Sequence, residues 1–225
     1  MSHPVSFSSL QVDADSALQF RQRVQAQGVA PRARLLLLHG VGGNESNLAG
    51  LAQYLPADLD VLLLRGPLQI AAQGFAWFQV NFSANGPVIN AEQAEASRQQ
   101  LLTFIQARPA LPTVIAGFSQ GGILSASVGL SAPGSVAGFG LLSGRILPEL
   151  EPHIATAEAL RTLSAFVAHG RHDDKLPLFW AERADAWLTR LGVEHQTRLY
   201  DMGHELVAEE VSDFVQWLDA TLQRH

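Results

Sequence analysis

Short runs of apolar residues alternate along the chain with longer stretches in which apolar residues recur every three or four positions. The short runs predict strands at Leu35 to Leu38, Val61 to Leu64, Thr113 to Ala116, Ala137 to Leu142, Ala165 to Ala168 and His195 to Tyr200. The longer stretches predict helices near Leu48 to Leu55, Ala91 to Ala107, Gln120 to Ser131, Leu178 to Leu191 and Glu205 to Leu222. Asn90 is placed to cap the second of these, with Gln93 three residues on. Strands that alternate with helices predict an α/β fold, a mostly parallel central sheet with helices on both faces.

Two regions lack a clear period. The first thirty residues leave room for one or two edge strands, around Val5 to Val12 and Ala17 to Val24. Arg65 to Ile89 holds two Gly-Pro pairs and four aromatics without a pattern, and reads as a long loop and a candidate functional surface. Trp180 and Trp187, seven apart on a helix, read as core, as does the stripe Val207, Val211, Phe214 and Leu218. Neither repeats nor linkers divide the 225 residues, so one domain spanning 1–225 is expected.

With 47% apolar and 16% charged residues the chain can bury a sizeable core. A net charge of −6 without a Lys/Arg run argues against nucleic acid or an anionic membrane surface as partner, and favours a small neutral or weakly charged substrate. No apolar run reaches the length of a membrane span, so stable membrane insertion is not expected; the N-terminus lacks a leader pattern, and the expected compartment is the cytoplasm. The absence of cysteine excludes disulfides, thiolate metal sites and a cysteine nucleophile.

Chemistry enters at Gly117-Phe118-Ser119-Gln120-Gly121. A Gly-x-Ser-x-Gly segment between a strand and a helix holds its serine on a sharp turn, and the small flanking residues let neighbouring chain approach. This is the nucleophile arrangement of the α/β-hydrolase fold, in which an acid and then a histidine follow the serine. Of the late histidines, His195 falls within a strand pattern and His225 ends the chain; His204, in the loop between the last strand and the last helix, remains as the base. The acid belongs just past a strand end, where Asp173 and Asp174 are adjacent, and spacing does not choose between them. His169 and His172 lie beside them, but the spacing that would converge these four side chains on a metal is missing, and no metal is expected. Two aimed amides should hold the oxyanion of an acyl-transfer intermediate, one after the serine and one in the glycine-rich loop His39 to Asn44; the candidates are Gln120 and Val41.

Leu38-His39-Gly40-Val41-Gly42-Gly43-Asn44, Arg65-Gly66-Pro67 with Phe75-Ala76-Trp77-Phe78, Gly117-Phe118-Ser119-Gln120-Gly121-Gly122, His169-Gly170 with Asp173 and Pro177, and Met202-Gly203-His204 together resemble the phospholipase/carboxylesterase family, which includes acyl-protein thioesterases. The resemblance runs from about Arg34 to Leu218. It selects Asp173 as the acid, four residues after the histidine of His-Gly and four before the proline. Asp174 departs from the family pattern. The resemblance implies a serine carboxylesterase acting on small or medium acyl esters through an acyl-enzyme, without a cofactor. Acyl thioesters and lysophospholipids are the other substrates it implies, and a non-catalytic binding protein on the same fold is the rival of another class. It also implies that Phe75, Trp77, Phe78 and Phe82 wall an acyl groove, with Trp77 the foremost substrate contact, or else pack their loop onto the sheet. The chain length leaves little room for a separate lid domain, and none is expected. Members of the family often form dimers, and a homodimer is the assembly the resemblance allows.

Overall fold

The computed structural model describes residues 5–83 and 86–225, and of residues 82, 83, 86 and 87 the backbone alone. In chain order its elements are β1 (Gln11–Val12), β2 (Gln19–Gln22), β3 (Ala33–Leu38), β4 (Leu59–Arg65), β5 (Leu68–Ala71), β6 (Gly74–Ala76), β7 (Val80–Ser83), β8 (Gly86–Ile89), α1 (Ala91–Gln106), β9 (Thr113–Phe118), α2 (Gln120–Ser131), β10 (Gly138–Leu142), β11 (Ser164–Gly170), α3 (Phe179–Leu191), β12 (Glu194–Tyr200) and α4 (Ala208–Leu222). An eight-stranded sheet runs β1-β2-β4-β3-β9-β10-β11-β12. From β4 onward its pairings are parallel; β1 with β2 and β2 with β4 are antiparallel.

Strand alternation divides the core into two layers. Leu36, Leu38, Leu62, Leu64, Ile115, Phe139 and Leu141 face α1, α2 and α3, whereas Leu35, Leu37, Val61, Leu63, Val114 and Ala116 face α4 and the turn of 3-10 helix at Ala49–Gln53. Both faces of β3, β4 and β9 are thus buried, which is why their sequences are near-continuous apolar runs. At the edge, β12 alternates exposed and half-buried residues.

The six central strands and α1 to α4 fall where the apolar pattern places them, with Asn90 capping α1 by accepting from the Gln93 amide. Three expectations change. The segment Leu48 to Leu55 is a 3-10 turn, because Gly50 weakens the helix and Pro56 stops it within two turns. The N-terminal strands shrink to β1 and β2. Arg65 to Ile89 is not a structureless loop but two hairpins, β5 with β6 and β7 with β8. Strands of three or four residues are too short for a period of two to show.

The chain leaves β3 toward β4 on one side and returns to β9 on the other. The crevice at the carboxyl ends of β3 and β9 is therefore the topological switch point, where open α/β sheets place their ligands. Among the described residues no helix is long and apolar enough to cross a membrane.

Candidate active site

Ser119 sits in the turn between β9 and α2 at φ 54° and ψ −115°, a backbone region that costs a non-glycine residue on the order of 1–3 kcal/mol. Its amide donates to Leu142 O at 2.8 Å, which anchors the strained turn to β10. The flanking glycines are required by space. A Cβ on Gly117 would stand 2.4 Å from the carbonyl carbon of Gly121, and one on Gly121 would stand 2.2 Å from Leu38 O. The helix thus begins against the end of β3, and the serine is carried to the switch point.

His204 reaches the same point from the loop between β12 and α4. Its Nε2 lies 3.0 Å from Ser119 Oγ and its Nδ1 2.7 Å from Asp173 Oδ2. An ionised carboxylate only accepts, so Nδ1 carries the proton and Nε2 is left to accept from the serine hydroxyl. Phe118 packs against the imidazole, ring centroids 4.8 Å apart.

Asp173 follows β11, its side chain fully buried. Its Oδ1 accepts from the amides of Lys175 at 2.9 Å and Leu176 at 2.8 Å, so the carboxylate is oriented before it meets His204. His169, also buried, places Nε2 2.7 Å from Leu176 O and 3.5 Å from Asp173 Oδ2. Asp174 turns outward, 74% exposed, beside Lys175 Nζ at 3.3 Å. The two adjacent carboxylates therefore have opposite surroundings, and only Asp173 faces the histidine. His172 is exposed as well and pairs with Asp201, so the four side chains near the strand end do not converge.

The glycine-rich loop is held from beneath. Gly66 N donates to His39 Nε2 at 2.9 Å, and His39 Nδ1, which then bears the proton, donates to Gly40 O at 2.6 Å. Burial, outweighing the hydrogen bond to Gly40, pushes this imidazole below its ordinary pKa and keeps it neutral. Glu45, buried at the end of the loop, binds Arg65 at 2.6 Å and Arg21 at 2.9 Å. These guanidiniums hold its carboxyl below the usual range against the opposing cost of burial, which is the largest single influence on it. Neither Glu45 nor the support role of His39 is marked by a motif; position beside the glycines is their one signal in the sequence.

Val41 is half exposed at the cavity edge, whereas Gln120 is buried as the first residue of α2, where its amide has no intrahelical partner. The Gln120 side chain accepts from Trp77 N at 2.8 Å and donates to Phe78 O at 2.7 Å, tying the helix start to the segment after β6.

A cavity of about 330 Å³ opens onto Ser119 and His204. Its wall includes Phe78, Val80, Ile89, Phe118, Ile123 and Leu176, and Gly40, Val41, Gln120, Arg145 and Lys175 complete it. Of the expected aromatic contacts whose side chains are described, only Phe78 lies on this wall. Trp77 is a correction: it is fully buried, its Nε1 donates to His39 O at 3.0 Å and its carbonyl accepts from Ser97 Oγ at 2.6 Å. An indole that satisfies a buried carbonyl is held inside by that bond. Phe75 is likewise off the wall, covered by Arg65 at 4.4 Å, its backbone paired with Gly42 and Gly43. The side chain of Phe82 lies outside the described residues. Trp180 also departs from expectation, being half-buried between Arg145 and Arg183 rather than in the core.

A sequence model of the phospholipase/carboxylesterase family matches residues 20–222. Acyl-protein thioesterase 1 of Mycosarcoma maydis is 28% identical over 87% of this chain and 93% of its own length, and that of Kluyveromyces lactis 26% identical over 89% and 97%. Among solved structures, a carboxylesterase from Mesorhizobium loti superposes with a TM-score of 0.78 at 24% identity, covering 94% of this chain and 99% of its own. Acyl-protein thioesterase 2 of Zea mays gives 0.74 at 22%, covering 90% and 98%. The architecture is that of the α/β-hydrolases, and the chain belongs to the phospholipase/carboxylesterase family.

Proposed function

We propose that the chain is a serine carboxylesterase acting on small or medium acyl esters through an acyl-enzyme intermediate. The observation that carries the reading is the continuous hydrogen-bonded chain from Asp173 through His204 to Ser119, ending in a largely apolar cavity. In this mechanism His204 Nε2 takes the hydroxyl proton as Ser119 Oγ attacks the ester carbonyl. Asp173 stabilises the imidazolium that forms. The amides of Val41 and Gln120 receive the oxyanion, and their positions are fixed in advance by His39, Trp77 and the Gln120 side chain, so little reorganisation is needed as charge develops. His204 returns the proton to the leaving alcohol; water then repeats the attack on the acyl-serine.

A thioester substrate uses the same groups with sulfur as the leaving atom, and the acyl-protein thioesterases among the relatives favour it as a second reading. Rates across p-nitrophenyl esters of rising chain length, with one matched thioester, test both. A cavity of this size predicts a maximum at short or medium chains; a steep rise toward long chains contradicts it. A kcat/KM for the thioester well above that for its ester makes thioesters the substrate class.

A further inference from the structure

The cavity wall carries a cation that the mechanism does not use. Arg145 follows β10 by three residues and lines the same cavity as Ser119 and His204. Only 7% of it is exposed. Its guanidinium stands 4.6 Å from the Trp180 ring centroid. Among the described residues it has neither an ion pair nor a hydrogen bond to a protein acceptor; Glu149, the carboxylate that chiefly stabilises its charge, acts only through space.

This is a costly arrangement. A largely covered guanidinium gives up hydration and receives no hydrogen-bonded protein partner in return, and it stays charged at any ordinary pH. Stacking on Trp180 engages one face of the planar group and leaves its in-plane N–H donors uncommitted. Trp180 is also flanked by Arg183, 5.2 Å from the ring centroid, which adds repulsion rather than relief. Lys175 also lines the cavity, from the segment after β11, its ammonium held near Asp174. On this largely apolar wall, Arg145 is the cation without an ion pair among the described residues.

We propose that Arg145 is a specificity-determining residue that binds an oxyanion carried by the substrate, so that the preferred ester or thioester bears a carboxylate away from the scissile carbonyl. This rests on the hydrolase reading of the site, and narrows the sequence-based expectation of a small neutral or weakly charged substrate to one that carries an anion. A planar carboxylate accepts two parallel N–H bonds from the guanidinium edge, and both are strengthened by the apolar wall around them. Trp180 holds the fork in place, so little side-chain entropy is lost on binding.

The anion can belong to the acyl half or to the leaving group, and two pairs of esters separate these. Mono-p-nitrophenyl glutarate against p-nitrophenyl pentanoate probes the acyl half; 4-carboxyphenyl butyrate against its methyl ester probes the leaving group. For each pair the ratio of anionic to neutral kcat/KM is measured in the wild type and in Arg145→Gln and Arg145→Lys. One ratio should fall about 10- to 100-fold in Arg145→Gln, the worth of a charged hydrogen bond, and less in Arg145→Lys. A variant that merely loosens the fold lowers both members of a pair together; ratios that stay within about twofold in both pairs overturn the proposal. Should Arg145→Gln not fold, the same ratios in Arg145→Lys, which keeps the charge but loses the fork, decide it. Calorimetric binding of the four esters to Ser119→Ala separates this outcome from failure of the hydrolase reading. Selective binding of an anionic ester with no wild-type turnover removes the hydrolase reading and keeps the anion site. Turnover with unchanged ratios removes the anion site alone.

Discussion

Asp173 and Asp174 are neighbours in sequence with the same side chain, and their surroundings give them different expected roles. Asp173 is sealed from solvent with two amides on one oxygen and His204 on the other; Asp174 stands in water beside a lysine. Asp173→Asn removes the acceptor that fixes the His204 tautomer and should lower kcat by about 10⁴-fold. Asp174→Asn alters only an exposed ion pair and should lower it by roughly tenfold or less. Steady-state kinetics of the two variants checks the ranking, and its reversal would move the acid to Asp174. Spacing alone left this choice open, because it does not say which way a side chain turns after a strand. Ser119 and His204 were easier to read: a glycine-flanked serine between a strand and a helix has few structural uses, and elimination left one late histidine. Arg145 escaped notice because nothing in Ser143-Gly144-Arg145-Ile146 distinguishes a buried cation from a surface one.

At the scale of elements, apolar runs buried on both faces marked the central strands, and the 3.6-residue period marked the helices. The region Arg65 to Ile89 resisted because its strands are short and its aromatics serve backbone partners rather than one face. Trp77 is the clearest case. From sequence it stood out as a substrate contact; in the fold it joins the segment after β6 to the glycine-rich loop through His39 O and to α1 through Ser97. Trp77→Phe should therefore cost about 1–3 kcal/mol of stability by leaving the His39 carbonyl without its donor. It should also lower kcat/KM evenly across acyl-chain lengths, since the loop rather than the acyl wall is disturbed. Denaturant unfolding and the ester series measure the two effects, and a loss confined to one chain length would return Trp77 to the substrate.

Across the whole molecule, pH acts through buried groups of opposite sign, of which Glu210 and His39 are examples. Glu210, near the start of α4, is buried without a side-chain partner among the described residues, and burial pushes its carboxyl up to about 8. The folded state then holds a proton that the unfolded chain has released above its ordinary value of 4.5, so stability falls as pH rises from 4.5 through 8. His39 works in the other direction. Its lowered pKa favours the neutral ring, so the unfolded chain gains protons first and stability falls as pH drops below the ordinary value of 6.5. Melting temperatures should accordingly decline on both flanks of a mildly acidic maximum. Glu210→Gln should flatten the alkaline flank alone, and a variant as pH-sensitive above pH 7 as the wild type would contradict that origin.

The central claim is that Ser119 is an activated nucleophile, and reaction with a fluorophosphonate followed by mass spectrometry of the digested protein tests it most directly. One covalent adduct is expected, on Ser119, abolished in Ser119→Ala and much slower in His204→Ala. Folded wild-type protein that stays unlabelled, or that carries its adduct on another residue, would contradict it.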